Sequence, residues 1–164
     1  MHHRQHLVFH VVIFLCALVG LTTGCSGEDC PINNVVAGKM RFYNHLGDAV
    51  SINGTLSISV VRPQGDSIVL NQLYNASEVN FPLCYTHHTD TLIFDYNNGA
   101  VYDTLYVGHT NTPTLVSVAC GTAMFHSITS VSSTHHIIDT LIVKSTEVNY
   151  DERENIQVIY RTDN

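Results

Sequence analysis

Histidine is the most frequent side chain in this sequence that could bind a metal or transfer a proton. Eleven histidines occur, and two adjacent pairs, His87-His88 and His135-His136, lie in polar stretches. A zinc site needs three or four converging ligands. Neighbouring residues of a strand point to opposite faces, so a pair can chelate only from a loop. No spacing of a known metal motif is present, so we expect loop histidines without a metal or other cofactor, with metal binding by these loops as the alternative.

No residue pattern typical of a catalytic site is present. No serine has the flanking glycines of a nucleophile elbow, and no glycine-rich loop could hold phosphate. The charged run from Asp151 to Asn155 lies between two predicted strands, and we interpret it as a solvated hairpin loop. We therefore expect that the protein is not an enzyme.

Four triplets combine an acid, a hydroxyl and an apolar residue. They are Asp66-Ser67-Ile68 and three copies of Asp-Thr-Leu, whose threonines are Thr91, Thr104 and Thr140. Each triplet resembles the O-glycosylation sequon of Bacteroides-type cells, which predicts sugar on the hydroxyl of one or more of them. Such sugar would add bulk and solubility to the surface. The alternative is that the triplets merely begin strands with the hydroxyl pointing outward.

The first 24 residues have the three-part build of a secretory leader. A short polar start containing Arg4 precedes an apolar run from Leu7 to Leu21, and small residues come just before Cys25. The run is shorter than the roughly 20 apolar residues that a membrane-spanning helix needs. The arrangement resembles a lipobox, so we expect a diacylglyceryl group on Cys25, which would then begin the mature chain and anchor it to a membrane. Ordinary signal cleavage is the alternative.

Five cysteines occur, and the lipobox interpretation accounts for two of them. Cys16 would leave with the leader and Cys25 would carry lipid, so Cys30, Cys84 and Cys120 remain. Three thiols allow one bridge and one free thiol, and an exported protein meets an oxidising space that permits a bridge. We predict a disulfide between Cys30 and Cys120, with three unpaired buried thiols as the alternative.

Length and charge restrict the function classes. The chain of 164 residues has a formal net charge of −7, and loss of Arg4 with the leader makes the remainder more negative. An acidic balance disfavours nucleic acid as a partner. The part after the leader is long enough for one domain with its own core.

The elements that position these residues are predicted to be strands. Residues 25–38 are rich in small and polar side chains and predict a tether, and residues 39–164 predict one domain with period-two alternation. Leu92, Phe94 and Tyr96 share one face of a strand that turns at residues 97–99 into a second strand. Seven to nine short strands at this spacing predict an all-β, antiparallel, immunoglobulin-like two-sheet sandwich, with a β-barrel as the alternative.

Several short motifs follow one another along the chain. They are the lipobox with Cys30 shortly after it, Phe42-Tyr43, Phe81-Pro82-Leu83, Asp90-Thr91-Leu92, Ala119-Cys120-Gly121 and Ile138-Asp139-Thr140. Their order is similar to that of a family of small uncharacterised lipoproteins of Bacteroides-type bacteria. The resemblance implies an outer-membrane lipoprotein of the cell envelope with a β domain, and it assigns no activity to any residue. We therefore expect a lipid-anchored, non-catalytic module that binds an envelope protein or a glycan, with an envelope metal-binding protein as the alternative.

Overall fold

The computed structural model describes Cys30 and residues 35–161, and the leader residues and Cys25 lie outside that part. The chain divides into two units, Met1–Cys30 and Pro31–Asn164. Within the described residues every regular element is a strand, and no helix there is long and apolar enough to span a membrane. The strands are β1 (Ala37–Tyr43), β2 (Thr55–Val60), β3 (Ser67–Tyr74), β4 (Glu78–Pro82), β5 (Thr89–Tyr96), β6 (Val101–Ser117), β7 (Gly121–Ser133), β8 (Ile138–Val143), β9 (Glu147–Val148) and β10 (Glu154–Tyr160).

Two sheets form the domain, which confirms the predicted all-β two-sheet sandwich. One sheet has the strand order β4-β1-β10-β8 and the other has the order β3-β2-β5-β6-β7-β9. Their buried faces meet in a core to which β1, β5 and β10 contribute Phe42, Phe94 and Ile156, all fully buried. Burying one such side chain stabilises a fold by about 1.5–3 kcal/mol. One pair departs from the antiparallel prediction, because β1 and β10 run parallel.

The β5–β6 hairpin forms around the predicted turn, and the predicted residues of β5 face the core. Tyr96 pairs with Val101 across the turn, and Leu92, Phe94 and Tyr96 are all buried. Asn97 and Asn98 have positive φ angles of 53° and 57°. Asparagine tolerates this left-handed region better than most residues do, which is why this turn can close here.

Local sequence signals also place β4 and the start of the domain. Pro82 ends β4, which lies at the edge of its sheet, as expected for a residue that lacks an amide donor. β1 begins at Ala37, two positions before the predicted domain start, and its Gly38 lies against the Phe81 ring. The run that ends at Asn155 is only partly a solvated loop. Asn155 is buried and bonds to the backbone of three residues, so the prediction was wrong at that end.

β6 and β7 form a hairpin that is much longer than the other elements. β5 pairs with β6 only as far as Gly108, whereas β6 continues to Ser117 and stays paired with β7 up to Gly121. These two strands are therefore much longer than the short strands that the sequence predicts. We call residues 115–121 the hairpin tip. It exposes Leu115 by 64% and Val118 by 96%.

Candidate functional site

A buried polar network lies where β5 begins. Asp90 is 1% exposed, and both of its carboxylate oxygens have partners. One oxygen forms an ion pair with the Arg62 guanidinium. The other accepts hydrogen bonds from the Cys84 amide at 2.8 Å and from His109 Nε2 at 3.0 Å. A buried carboxylate is costly unless it is paired in this way, so the network holds β5, β6 and the loop that contains Cys84 together.

Asn111 connects this network to the loop between β4 and β5. Its Oδ1 lies 2.8 Å from His109 Nδ1 and accepts a hydrogen bond from His126 Nδ1 at 2.7 Å. Its Nδ2 has two protons, which are shared among three loop carbonyls, those of Cys84 (3.0 Å), Tyr85 (2.8 Å) and His87 (3.0 Å). One side chain therefore fixes the path of the loop and the orientation of two imidazoles.

These hydrogen bonds determine where the protons of His126 lie. Oδ1 of Asn111 can only accept, so the proton of His126 is on Nδ1. Burial, and secondarily the nearby His109, lower the pKa of His126 to about 4, so the ring is neutral at neutral pH. Its Nε2 is consequently an unprotonated, buried nitrogen with no hydrogen-bond partner among the described residues. The Tyr85 ring stacks on this imidazole with centroids 6.3 Å apart.

Cys84 is a free thiol in a setting that favours its thiolate. Its Sγ lies 3.4 Å from Thr86 Oγ1 and 3.3 Å from His87 Nδ1. The hydrogen bond from the Thr86 hydroxyl, opposed by burial and aided by His87, lowers the pKa of Cys84 to about 6. The thiolate is the nucleophilic and metal-binding form of cysteine. This loop can therefore react with thiol reagents at neutral pH.

The other histidine pair makes structural contacts. His135 Nδ1 lies 3.3 Å from the carbonyl oxygen of Ile138, and His136 Nδ1 lies 3.4 Å from an oxygen of Asp103. In residues 35–161 and at Cys30, no three His, Cys, Asp or Glu side chains converge as metal ligands. The two histidine loops therefore do not join into one ligand set within the described residues.

A cleft lies at the opposite end of β5, between the two sheets. Its volume is about 350 Å³, within the range of roughly 300–1,000 Å³ that is typical of ligand pockets. The walls include Val50, Ile52 and Ile137, and the lining contains no Asp or Glu. The remaining lining residues are polar or aromatic: Asn44, Ser51, Asn53, Tyr96, Asn97, Tyr160 and Arg161.

A tyrosine pair forms the inner part of this cleft. The Tyr96 hydroxyl donates to the Tyr160 hydroxyl at 3.2 Å, and both residues are buried. Burial raises the pKa of both tyrosines above the ordinary value, so both hydroxyls keep their protons. The pair has two hydroxyl protons but makes one hydrogen bond. The Tyr160 proton therefore has no acceptor among the described residues. The pair can therefore donate a hydrogen bond to an oxygen that enters the cleft.

The predicted modification sites lie in different environments. Ser67 and Thr140 are exposed on the edge strands β3 and β8, whereas Thr91 and Thr104 are half-buried in the central strands β5 and β6. The acid that precedes Thr104 is fully buried: Asp103 accepts hydrogen bonds from one hydroxyl and three backbone amides. Glycosylation at these four positions stays a prediction.

The cysteines of the predicted bridge are both disulfide-bonded. Cys30 and Cys120 are in the disulfide state, and Cys120 lies in the hairpin tip. Their pairing with each other stays a prediction. Cys25, the predicted lipidation site, lies outside the described residues.

Sequence reasoning missed the residues that make the densest contacts. Asn111 and Asp90 were not singled out as a pair, and Cys84 was considered only as a spare thiol. One signal was available, because Cys84 and His87 are three residues apart in a polar loop, a spacing that lets the two side chains meet. The tyrosine pair had no such signal, since Tyr96 and Tyr160 are 64 positions apart.

Comparison with known proteins places this two-sheet domain in a family. The sequence model of DUF6452, a family of unknown function, matches residues 55–160, which is more than half of the chain. The protein belongs to that family. No curated protein and no solved structure matches the chain significantly.

Proposed function

We propose that the protein is a lipid-anchored cell-envelope protein whose domain is a non-catalytic binding module. The leader and the lipobox-like residues before Cys25 support the anchor and an outer-membrane location. Acyl chains that bury many methylenes hold a protein firmly on a bilayer, at about 0.8 kcal/mol per buried CH₂. The membrane would then be the first partner of the protein, and the domain would present its binding site in the envelope.

The tyrosine cleft carries the proposal of a binding role. Its floor offers an unused hydroxyl proton, its walls offer apolar contact, and asparagine amides line its rim. A glycan combines apolar C–H faces with many acceptor oxygens, so it matches both parts of this lining. The absence of lining carboxylates and the presence of Arg161 also allow an acidic sugar. An envelope protein is the other partner class that we predict for the module.

Binding of oligosaccharides tests the cleft. We would screen a panel of neutral and acidic oligosaccharides by saturation-transfer NMR and measure affinities for those that bind. Tyr160→Phe removes one hydroxyl and keeps the ring, so it should weaken binding by about tenfold, the value of one good hydrogen bond. Tyr106→Phe, an exposed tyrosine of β6, is the matched control. The cleft is not the glycan site if no sugar binds or if Tyr160→Phe binds as tightly as the wild type.

The mass of the intact protein tests the anchor. Protein purified from its native membrane should have the mass of a chain that begins at Cys25 plus two or three acyl chains, with any attached sugar as further mass. Cys25→Ala should release the protein from the membrane fraction. An unacylated mass would refute the anchor and leave a secreted domain.

We do not propose a metal-binding role, the alternative that the histidine pairs suggested. The part of the chain that the structure describes offers no converging set of three ligands.

A further inference from the structure

The β6–β7 hairpin lacks charged side chains from Thr104 to its tip and along all of β7, in an otherwise acidic protein. Between Asp103 and Asp139 the sequence contains no Asp, Glu, Lys or Arg, although the chain has a formal net charge of −7. β7, the tip and all of β6 except residues 101–103 fall within this stretch. An uncharged hairpin is not repelled by the anionic headgroups of a membrane, whereas the acidic remainder of the chain is.

The hairpin tip also exposes apolar side chains in a place where the fold does not cover them. Leu115 and Val118 are among the most exposed large apolar residues of the described chain, with Val118 almost fully solvated. Two such side chains are far smaller than a standard protein interface, which buries about 800 Å² on each partner. They fit a shallow contact with the boundary between headgroups and acyl chains, which reaches about 5–10 Å into the bilayer.

The cysteines relate this tip to the anchor. Cys84 is free, whereas Cys30 and Cys120 are both disulfide-bonded. If the predicted bridge joins the latter two, Cys30 is attached to the hairpin tip. Cys30 is only five positions after Cys25, and a fully extended chain covers at most about 3.3–3.6 Å per residue. The acyl chains on Cys25 would then lie within about 20 Å of the tip.

We infer that the hairpin tip is a second membrane contact, in which Leu115 and Val118 touch the same lipid surface that holds the acyl chains of Cys25. The inference rests on the proposed lipid anchor. It fixes the orientation of the domain as well as its attachment. The tyrosine cleft lies at the Tyr96 end of β5, whereas the hairpin tip lies beyond the Thr89 end. The cleft would therefore face away from the membrane that the tip contacts.

The absence of tryptophan makes this inference directly measurable. The chain contains no Trp, so Val118→Trp introduces a single reporter at an exposed position that should tolerate it. The lipidated full-length protein would be reconstituted into phosphatidylcholine vesicles with and without brominated acyl chains, which quench tryptophan at short range. Tyr74→Trp is the matched control, because Tyr74 is an exposed aromatic residue at the other end of the sandwich. Leu115→Trp provides a second reporter within the tip.

We expect brominated lipid to reduce the emission of the tip reporters by about twofold or more, as for a side chain held at the depth of an interfacial contact. The Tyr74→Trp emission should not change. Combining Cys120→Ser with Val118→Trp should reduce the quenching, because the tip would no longer be tied near the anchor.

Flotation of the same vesicles separates the two proposals. If the protein floats with the vesicles but the tip reporters are quenched no more than Tyr74→Trp, the anchor holds and the second contact is refuted. If the tip emission shifts to the blue without quenching, protein covers the tip, which also refutes a lipid contact. If the protein does not float, the lipid anchor is refuted and the inference fails with it.

Discussion

Replacement of Asn111 by alanine is the most informative perturbation of the buried network. The side chain has five polar contacts, two with imidazole nitrogens and three with loop carbonyls. Two of the three loop carbonyls belong to exposed residues and the third to the half-buried Cys84, so they can turn to water and the loss of these bonds costs little. The His109 and His126 nitrogens are buried and cannot, and each unsatisfied buried group costs about 1–3 kcal/mol. We expect Asn111→Ala to reduce the free energy of unfolding by about 3 kcal/mol.

Urea unfolding measures this loss, and the reactivity of Cys84 gives a second measurement. Without its three anchoring bonds the loop should become mobile, so the thiol should lose its contact with Thr86 and its pKa should rise from about 6. Asn71→Ala is the matched control, since Asn71 is exposed on the edge strand β3 and should change stability by less than about 0.5 kcal/mol. A loss below about 1 kcal/mol with unchanged thiol reactivity would refute the central role that we assign to Asn111.

Three further predictions follow from other contacts. Thr86→Val removes the hydroxyl that most lowers the pKa of Cys84, so the pH midpoint of iodoacetamide alkylation should rise from about 6; an unchanged midpoint would contradict this. Burial raises the pKa of Asp103, but hydrogen bonds from backbone amides and a hydroxyl outweigh burial and bring it below its ordinary value. The stabilisation from that carboxylate is therefore present above the unfolded pKa, near about 3.9, and is lost as pH falls through the lower folded value. Asp103→Asn should destabilise the protein by about 3 kcal/mol at pH 7 and flatten the pH dependence of urea unfolding below pH 4; an equally steep acid dependence would contradict it. Gly38→Ala places a methyl group against the ring of Phe81 and should lower the thermal midpoint through a loss of about 1–3 kcal/mol; an unchanged midpoint would show that the ring can move aside.

Local patterns predicted most of the fold. The alternation around Phe94 predicted the buried face of β5, and residues 97–99 predicted its turn. These features depend on residues close in sequence and on backbone preferences that each residue carries by itself. The parallel pairing of β1 with β10 could not be predicted in this way, because nothing in either strand's own pattern specifies which distant strand lies beside it.

The candidate sites were harder to predict for the same reason. Asp90 lies on β5 and His109 on β6, so their contact exists only in the paired sheet. The Asp-Thr-Leu triplets drew attention to their hydroxyls, whereas the structure uses the acids of the first two triplets as buried acceptors. A buried acid interrupts the apolar face of a strand. The alternating pattern that predicts strands therefore does not single out such a residue.

The parallel pairing of β1 with β10 has a consequence for the time at which the domain can fold. Lys39 pairs with Glu154, and the amide of Lys39 also donates to Asn155, 116 positions away. The small sheet therefore cannot close around its first strand until the last strand has emerged. Contacts of such long sequence separation form slowly. β1 therefore gains its second neighbour in the sheet only after synthesis has passed residue 160, so the small sheet is completed late.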